Sequence, residues 1–160
     1  MHLQNLLTRI MMVWMLHVTT ATFYTKCNVK NARDISLISV MITPCDSIPC
    51  TLFKGEMASL DISFTANADI AAGVASAHAL YGGFHIRFPH LEGNVCDFVD
   101  RSCPIVAGSI YTFTFAKVVD KQLPSTTLSI RWELRDSEGN NFICIELPLQ
   151  IGEPRSSFGY

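Results

Sequence analysis

The chain has 160 residues, 49% of them hydrophobic and 16% charged, with a formal net charge of -2. That is one domain's length, with enough apolar material for a packed core and too much for a disordered chain. The mild negative charge and the lack of a basic run interleaved with aromatics argue against a nucleic-acid partner.

Residues 1–21 stand apart: "MHLQNLLTR" carries one basic residue, "IMMVWML" is apolar, and "HVTTA" ends in the small residues a signal peptidase accepts. They are expected to form a secretory signal cleaved near Ala21, because the apolar stretch is too short to span a bilayer comfortably. Residues 22–151 are expected to form the folded domain and residues 152–160 a flexible tail.

From residue 35 the dominant period is two, the signature of half-buried strands. It runs through Ile38, Val40 and Ile42; Ala58, Leu60, Ile62 and Phe64; Phe84, Ile86 and Phe88; and Tyr111, Phe113 and Phe115. It resumes in Leu128, Ile130, Trp132 and Leu134, and in Ile143, Ile145, Leu147, Leu149 and Ile151. Pro44 and Pro49, Gly82 and Gly83, "LEGN", Gly108, Pro124 and "DSEGNN" at 136–141 punctuate these runs, the last closing a hairpin between the final two strands. About six or seven short strands without an amphipathic helix predict an all-β, two-sheet antiparallel sandwich. Trp132 comes shortly before the last Cys, not soon after the first, so the immunoglobulin family proper does not fit.

Six cysteines follow residue 21: Cys27, Cys45, Cys50, Cys96, Cys103 and Cys144. An even count behind a secretory signal reads as disulfides, with the connectivity left open. Cys45 and Cys50 enclose four residues and Cys96 and Cys103 six, wider than zinc pairs usually are, and there is no Cys-x-x-Cys redox motif.

Catalysis finds no support. His78, His85 and His90 are accompanied by no nucleophile elbow, zinc-protease motif or phosphate loop, and Asp97 and Asp100 read as a solvated loop. No enzymatic activity, metal site or cofactor is expected. The plentiful resource is aromatic and aliphatic side chains on alternating positions, and periodicity alone does not separate residues that fill an interior from residues that line a cavity.

The ordered set "PCDSIPC", Lys54-Gly55, "RFPHLEGNVC", "CPIVAGSIYTF", Pro124, "RWELRD" and "FICIELPLQI" resembles the lipid-recognition (ML) domain family. That family includes the secreted Niemann-Pick type C sterol carrier, the group-two mite allergens and the endotoxin co-receptor of Toll-like receptors. The likeness spans residues 27–151 and is strongest to the sterol-carrier branch. It implies an immunoglobulin-like sandwich whose sheets splay around an apolar pouch, with Cys27 paired to Cys144, Cys45 to Cys50 and Cys96 to Cys103. In the chain-entropy picture the long bridge contributes about 4 to 5 kcal/mol and each short one roughly 2 to 3 kcal/mol.

The resemblance further implies an entrance framed by Phe88, Pro89, Val119, Leu123 and Pro124, with Ile42, Phe64, Ile86, Phe113 and Trp132 lining or flooring the pouch. Leu123 stands where the family carries an aromatic, which softens the rim toward acyl chains or smaller hydrophobic molecules. Arg87, Lys117 and Lys121 are the rim cations. The expected function is that of a secreted monomer carrying a sterol or related lipid, with transient contact to a membrane or acceptor protein. Fatty acids or hydrophobic semiochemicals are the alternative cargo, and an innate-immune lipid sensor acting with a receptor ectodomain is a further one. No Asn-x-Ser/Thr sequon occurs, so extracellular secretion is expected rather than glycan-tagged delivery to lysosomes.

Overall fold

The computed structural model describes residues 22–27 and 34–155, so the expected signal segment and the last five residues lie outside it. Among the described residues there is no α-helix, and no helix long and apolar enough to cross a membrane. The strands are β1 (Thr25–Lys26), β2 (Ile35–Thr43), β3 (Cys50–Phe53), β4 (Met57–Ala66) and β5 (Ala72–Tyr81), followed by β6 (Phe84–Arg87), β7 (Gly93–Asn94), β8 (Ile110–Val118), β9 (Thr127–Asp136) and β10 (Asn141–Gly152).

The expected two-sheet sandwich is present. One sheet runs β1-β10-β9-β5-β6, with β3 alongside β10 and β7 alongside β5; the other runs β2-β4-β8. Every ladder is antiparallel except β10 with β3. β4 shows how the sequence drives this: Leu60, Ile62 and Phe64 are buried while Ser59, Asp61 and Ser63 on the opposite face are not, so one face of the strand must pack on a second layer.

Three register shifts and one edge depart from the alternation, one of the shifts lying between Ala72 and Ala75 of β5. A register shift between Leu37 and Ser39 turns Ile38 outward, where it is 54% exposed instead of joining Val40 and Ile42. A second shift, between Asn141 and Ile143, brings Phe142 into the core beside Ile143. On β6, Phe84 and Ile86 were expected inside and are 73% and 49% exposed. β6 is the edge of the wider sheet, with only three strands in the sheet opposite, so its apolar face lacks cover.

The three disulfides join Cys27 to Cys144, Cys45 to Cys50 and Cys96 to Cys103, the pairing that the resemblance implied. The first anchors the N-terminal segment to β10. The second closes the crossing from β2 in one sheet to β3 in the other, and the third closes the loop between β7 and β8. The β9–β10 hairpin turns on Asp136, whose carboxylate accepts hydrogen bonds from the backbone N–H groups of Glu138 and Asn140, with Gly139 at φ +86°. Burial pushes the Asp136 carboxyl up, but the Asn140, Glu138 and Gly139 hydrogen bonds together hold it below its ordinary value.

At the end of the sandwich nearest that hairpin the core is packed with rings, with a smaller cleft of about 100 Å³ beside the Cys27–Cys144 bridge. Phe64 stacks on Tyr111 at 5.9 Å between ring centroids and meets Phe142 at 6.1 Å, with Leu134 fully buried among the core side chains. Phe113 joins Phe98 and Trp132 at 5.6 and 6.0 Å, carrying the aromatic packing toward the middle of the domain.

Candidate functional site

Toward the other end, the sheets enclose a cavity of about 220 Å³. Its walls are positions on six strands. Leu128, Ile130 and Trp132 of β9 sit beside Leu147, Leu149 and Ile151 of β10, in a ladder that pairs Leu128 with Leu149 and Ile130 with Leu147. Ala58 and Leu60 of β4, Phe115 of β8 and Ile42 of β2 face them from the second sheet, and Leu52 of β3 completes the side next to β10.

The rim comes from two loops. Phe88 and Leu91 bracket the 3-10 turn Pro89–Leu91 after β6, and the Phe88 N–H donates to the Ala77 carbonyl at 3.2 Å. Val119 and Leu123 come from the loop between β8 and β9. The polar members are at the mouth: His90, Asp120 and Lys117, whose Nζ donates to the His90 carbonyl at 2.9 Å and ties the two rims together.

The structure therefore brings together Ile42, Phe88, Val119, Leu123 and Trp132 around one cavity. Pro89 opens the short rim turn, and Pro124 follows Leu123 without joining the lining. Phe64 and Phe113 are fully buried one layer deeper, in the solid core. Ile86, on the uncovered edge strand, is outside the cavity altogether. Of the rim cations, Arg87 pairs with Glu92 and does not line the cavity, nor does Lys121, while Lys117 lines it.

Leu128, Leu147, Leu149 and Ile151 were not singled out as lining residues, although the sequence carried the signal. The "DSEGNN" turn fixes the β9–β10 pairing, so residues far from it on both strands must lie at the opposite end, beside the Pro124 loop. Leu52 had no such signal, because β3 reaches β10 by a parallel pairing that local patterning does not reveal.

The walls are mostly aliphatic and aromatic carbon; their polar members are Ser59 of β4 and the Trp132 indole N–H, which is buried with no hydrogen-bond partner. No group of three His, Cys, Asp or Glu able to hold a metal occurs among the described residues. Asp100, read from the sequence as part of a solvated loop, accepts from the Thr112 N–H at 2.9 Å and shapes the loop beside β8. The chemistry on offer is the exclusion of water from an apolar guest.

Residues 21–151 match the family model of the ML domain. Among related proteins, the NPC intracellular cholesterol transporter 2 of Mus musculus is 33% identical over 112 residues, 70% of this chain and 74% of that protein. The ecdysteroid-regulated 16 kDa protein of Manduca sexta is 27% identical over 131 residues, covering 82% and 89%. Among solved structures, a Niemann-Pick type C2 protein from Japanese carpenter ant superposes with a TM-score of 0.71 at 19% identity, covering 81% of this chain and 99% of that one. The chain belongs to the ML-domain family.

Proposed function

We propose that this chain is a secreted, soluble, non-enzymatic carrier that takes one sterol or related lipid between its sheets and passes it to a membrane or acceptor protein. The observation that carries the reading is an apolar cavity open at one end of a domain whose other end is packed solid. Burying apolar ligand surface returns about 25 cal/mol per Å², so a guest can be held without any catalytic or charged contact. Similarity to proteins named as intracellular cholesterol transporters supports a sterol, and three disulfides support an oxidising, extracytoplasmic compartment.

A second reading, a carrier of fatty acids or hydrophobic semiochemicals, is favoured by the size of the cavity. About 220 Å³ is below the roughly 300–1,000 Å³ of drug-sized sites, so a four-ring sterol requires the rim to yield while a slender chain requires less. Leu123 in place of a flat ring makes such yielding easier. Transfer to a membrane is supported by Tyr81, Phe84 and Ile86, which form an exposed apolar strip on the β5–β6 hairpin leading to Phe88 at the rim.

The test is to purify the oxidised protein, identify co-purifying lipid by mass spectrometry, and compare displacement by a fluorescent sterol and a fluorescent fatty acid. Displaceable lipid that is lost in Phe88→Ala or Val119→Asp supports the carrier and its entrance. Failure to bind either probe would falsify the reading in favour of a structural sandwich.

A further inference from the structure

The chain continues past β10 as Gly152-Glu153-Pro154-Arg155, and this segment is fastened to the domain beside the cavity mouth. Because β3 runs parallel to β10 with Gly152 opposite Phe53, the residues that follow, Lys54 and Glu153, emerge side by side. Lys54 is 9% exposed, and its Nζ donates to Glu153 Oε1 at 2.7 Å. The same Oε1 accepts from Ser125 Oγ, in the loop between β8 and β9 that supplies Val119 and Leu123 to the rim.

Backbone bonds frame this junction. The Lys54 N–H reaches the Gly152 carbonyl at 3.1 Å, the Ile151 N–H reaches the Thr126 carbonyl at 2.9 Å, and Gly55 and Glu56 exchange bonds with Val119 at 2.8 and 2.9 Å. Outside it, Arg155 binds the Glu56 carboxylate and lays its guanidinium 4.6 Å above the Phe53 ring. The entrance loop thus has backbone ties at both of its ends, and Ser125 to Glu153 is a side-chain tie near its second end.

We propose that Glu153 is a positioning residue for ligand exchange: its carboxylate, shared between Lys54 and Ser125, clasps the entrance loop against the β3–β4 turn and so sets how fast the cavity opens. The clasp deepens the carrier reading, since it acts on the entrance that reading assigns. It leaves the cavity wall untouched, so it governs rates of entry and exit more than the contacts made with a bound guest. Lys54 anchors it: its side chain is 11% exposed and fixed among the β3–β4 turn residues, while Glu153 is 70% exposed, so the clasp works by position and hydrogen bonding more than by ion-pair energy.

Two measurements on the oxidised full chain test it, the first without any lipid. Amide hydrogen exchange is followed in Glu153→Gln, Glu153→Ala and Ser125→Ala; the last cuts the tie to the loop while leaving Lys54 paired. The clasp predicts roughly fivefold faster exchange at residues 119–126 in Ser125→Ala and Glu153→Ala, on the scale of one net hydrogen bond, and a smaller change in Glu153→Gln, which keeps an acceptor. Exchange around Phe64 and Phe113 should stay unchanged. The second measurement is release of dehydroergosterol and of an anthroyloxy-labelled fatty acid, accelerated by a similar factor in the same variants.

Unaltered exchange at 119–126, or an increase spread evenly over the domain, overturns the clasp. Wild-type protein that takes up neither probe overturns the carrier reading instead, and the exchange data then decide the clasp by themselves.

Discussion

The two ends of the sandwich are made from the same strands with the same alternation, yet one is solid and the other hollow. Along β4 and β8 the solid end places Phe64, Tyr111 and Phe113, whereas the hollow end has Ala58 and Leu60 with Lys117 across from Ala58. Along β9 and β10 the contrast is between Leu134 and Phe142 at one end and Leu128, Leu149 and Ile151 at the other. Large rings reach across a layer about 10 Å thick and interdigitate; small and aliphatic side chains do not span the same gap. Side-chain volume along β4, superimposed on a common period of two, helps set where the interior closes, while Phe115 and Trp132 pack on each other at 4.9 Å in the cavity wall.

The largest expected effect is at the solid end. Phe64→Ala should cost about 3 to 5 kcal/mol by denaturant unfolding, since the rings around it cannot collapse into the space, while Leu128→Ala at the hollow end should cost clearly less. Equal losses would erase the contrast. Next, Cys45→Ser with Cys50→Ser should cost roughly 2 to 3 kcal/mol, and it should loosen β3 and the Leu52 side of the cavity before the domain unfolds. Hydrogen exchange that rises at 50–53 only with global unfolding would contradict that order. Filling the hollow end by Ala58→Phe should cost little or even stabilise by about 0.5 to 1 kcal/mol while weakening lipid uptake at least about tenfold.

The smallest effect is from acid. The hydrogen bond from Arg155 holds the Glu56 carboxyl below its ordinary value, and hydrogen bonds from Lys54 and Ser125 do the same for Glu153. Each carboxyl is thus more acidic folded than unfolded. Their contribution is complete at neutral pH and is lost as pH falls through the folded values, below the ordinary glutamate range. An NMR titration should show the amides of 119–126 and 152–155 responding there, along with the Asp136 turn at the solid end. Responses at neutral pH would contradict the assignment.

Much of this was legible in the sequence. Period-two runs gave the strands, an even cysteine count behind an expected secretory signal pointed to bridges, and the motif order supplied the pairing and named Phe88, Val119 and Leu123, which line the cavity. Ile38 and Phe142 were not legible, because a bulge is a property of two strands in register and leaves no mark on one. Ile86 looks as buried as Ile130 from its neighbours; what separates them is that β6 is an edge and β9 is not. Glu153 and Lys54 are 99 residues apart and meet through the parallel β3–β10 ladder, which no local pattern announces.

The central claim, that the hollow end is a lipid site and not merely loose packing, is tested most directly by titrating the delipidated, oxidised protein with dehydroergosterol and with an anthroyloxy-labelled fatty acid, wild type against Ala58→Phe. Wild-type protein should bind at least one probe saturably and one-to-one, and that binding should be lost in a variant that folds as stably. No binding to the wild type, or binding undiminished when the cavity is filled, would contradict it.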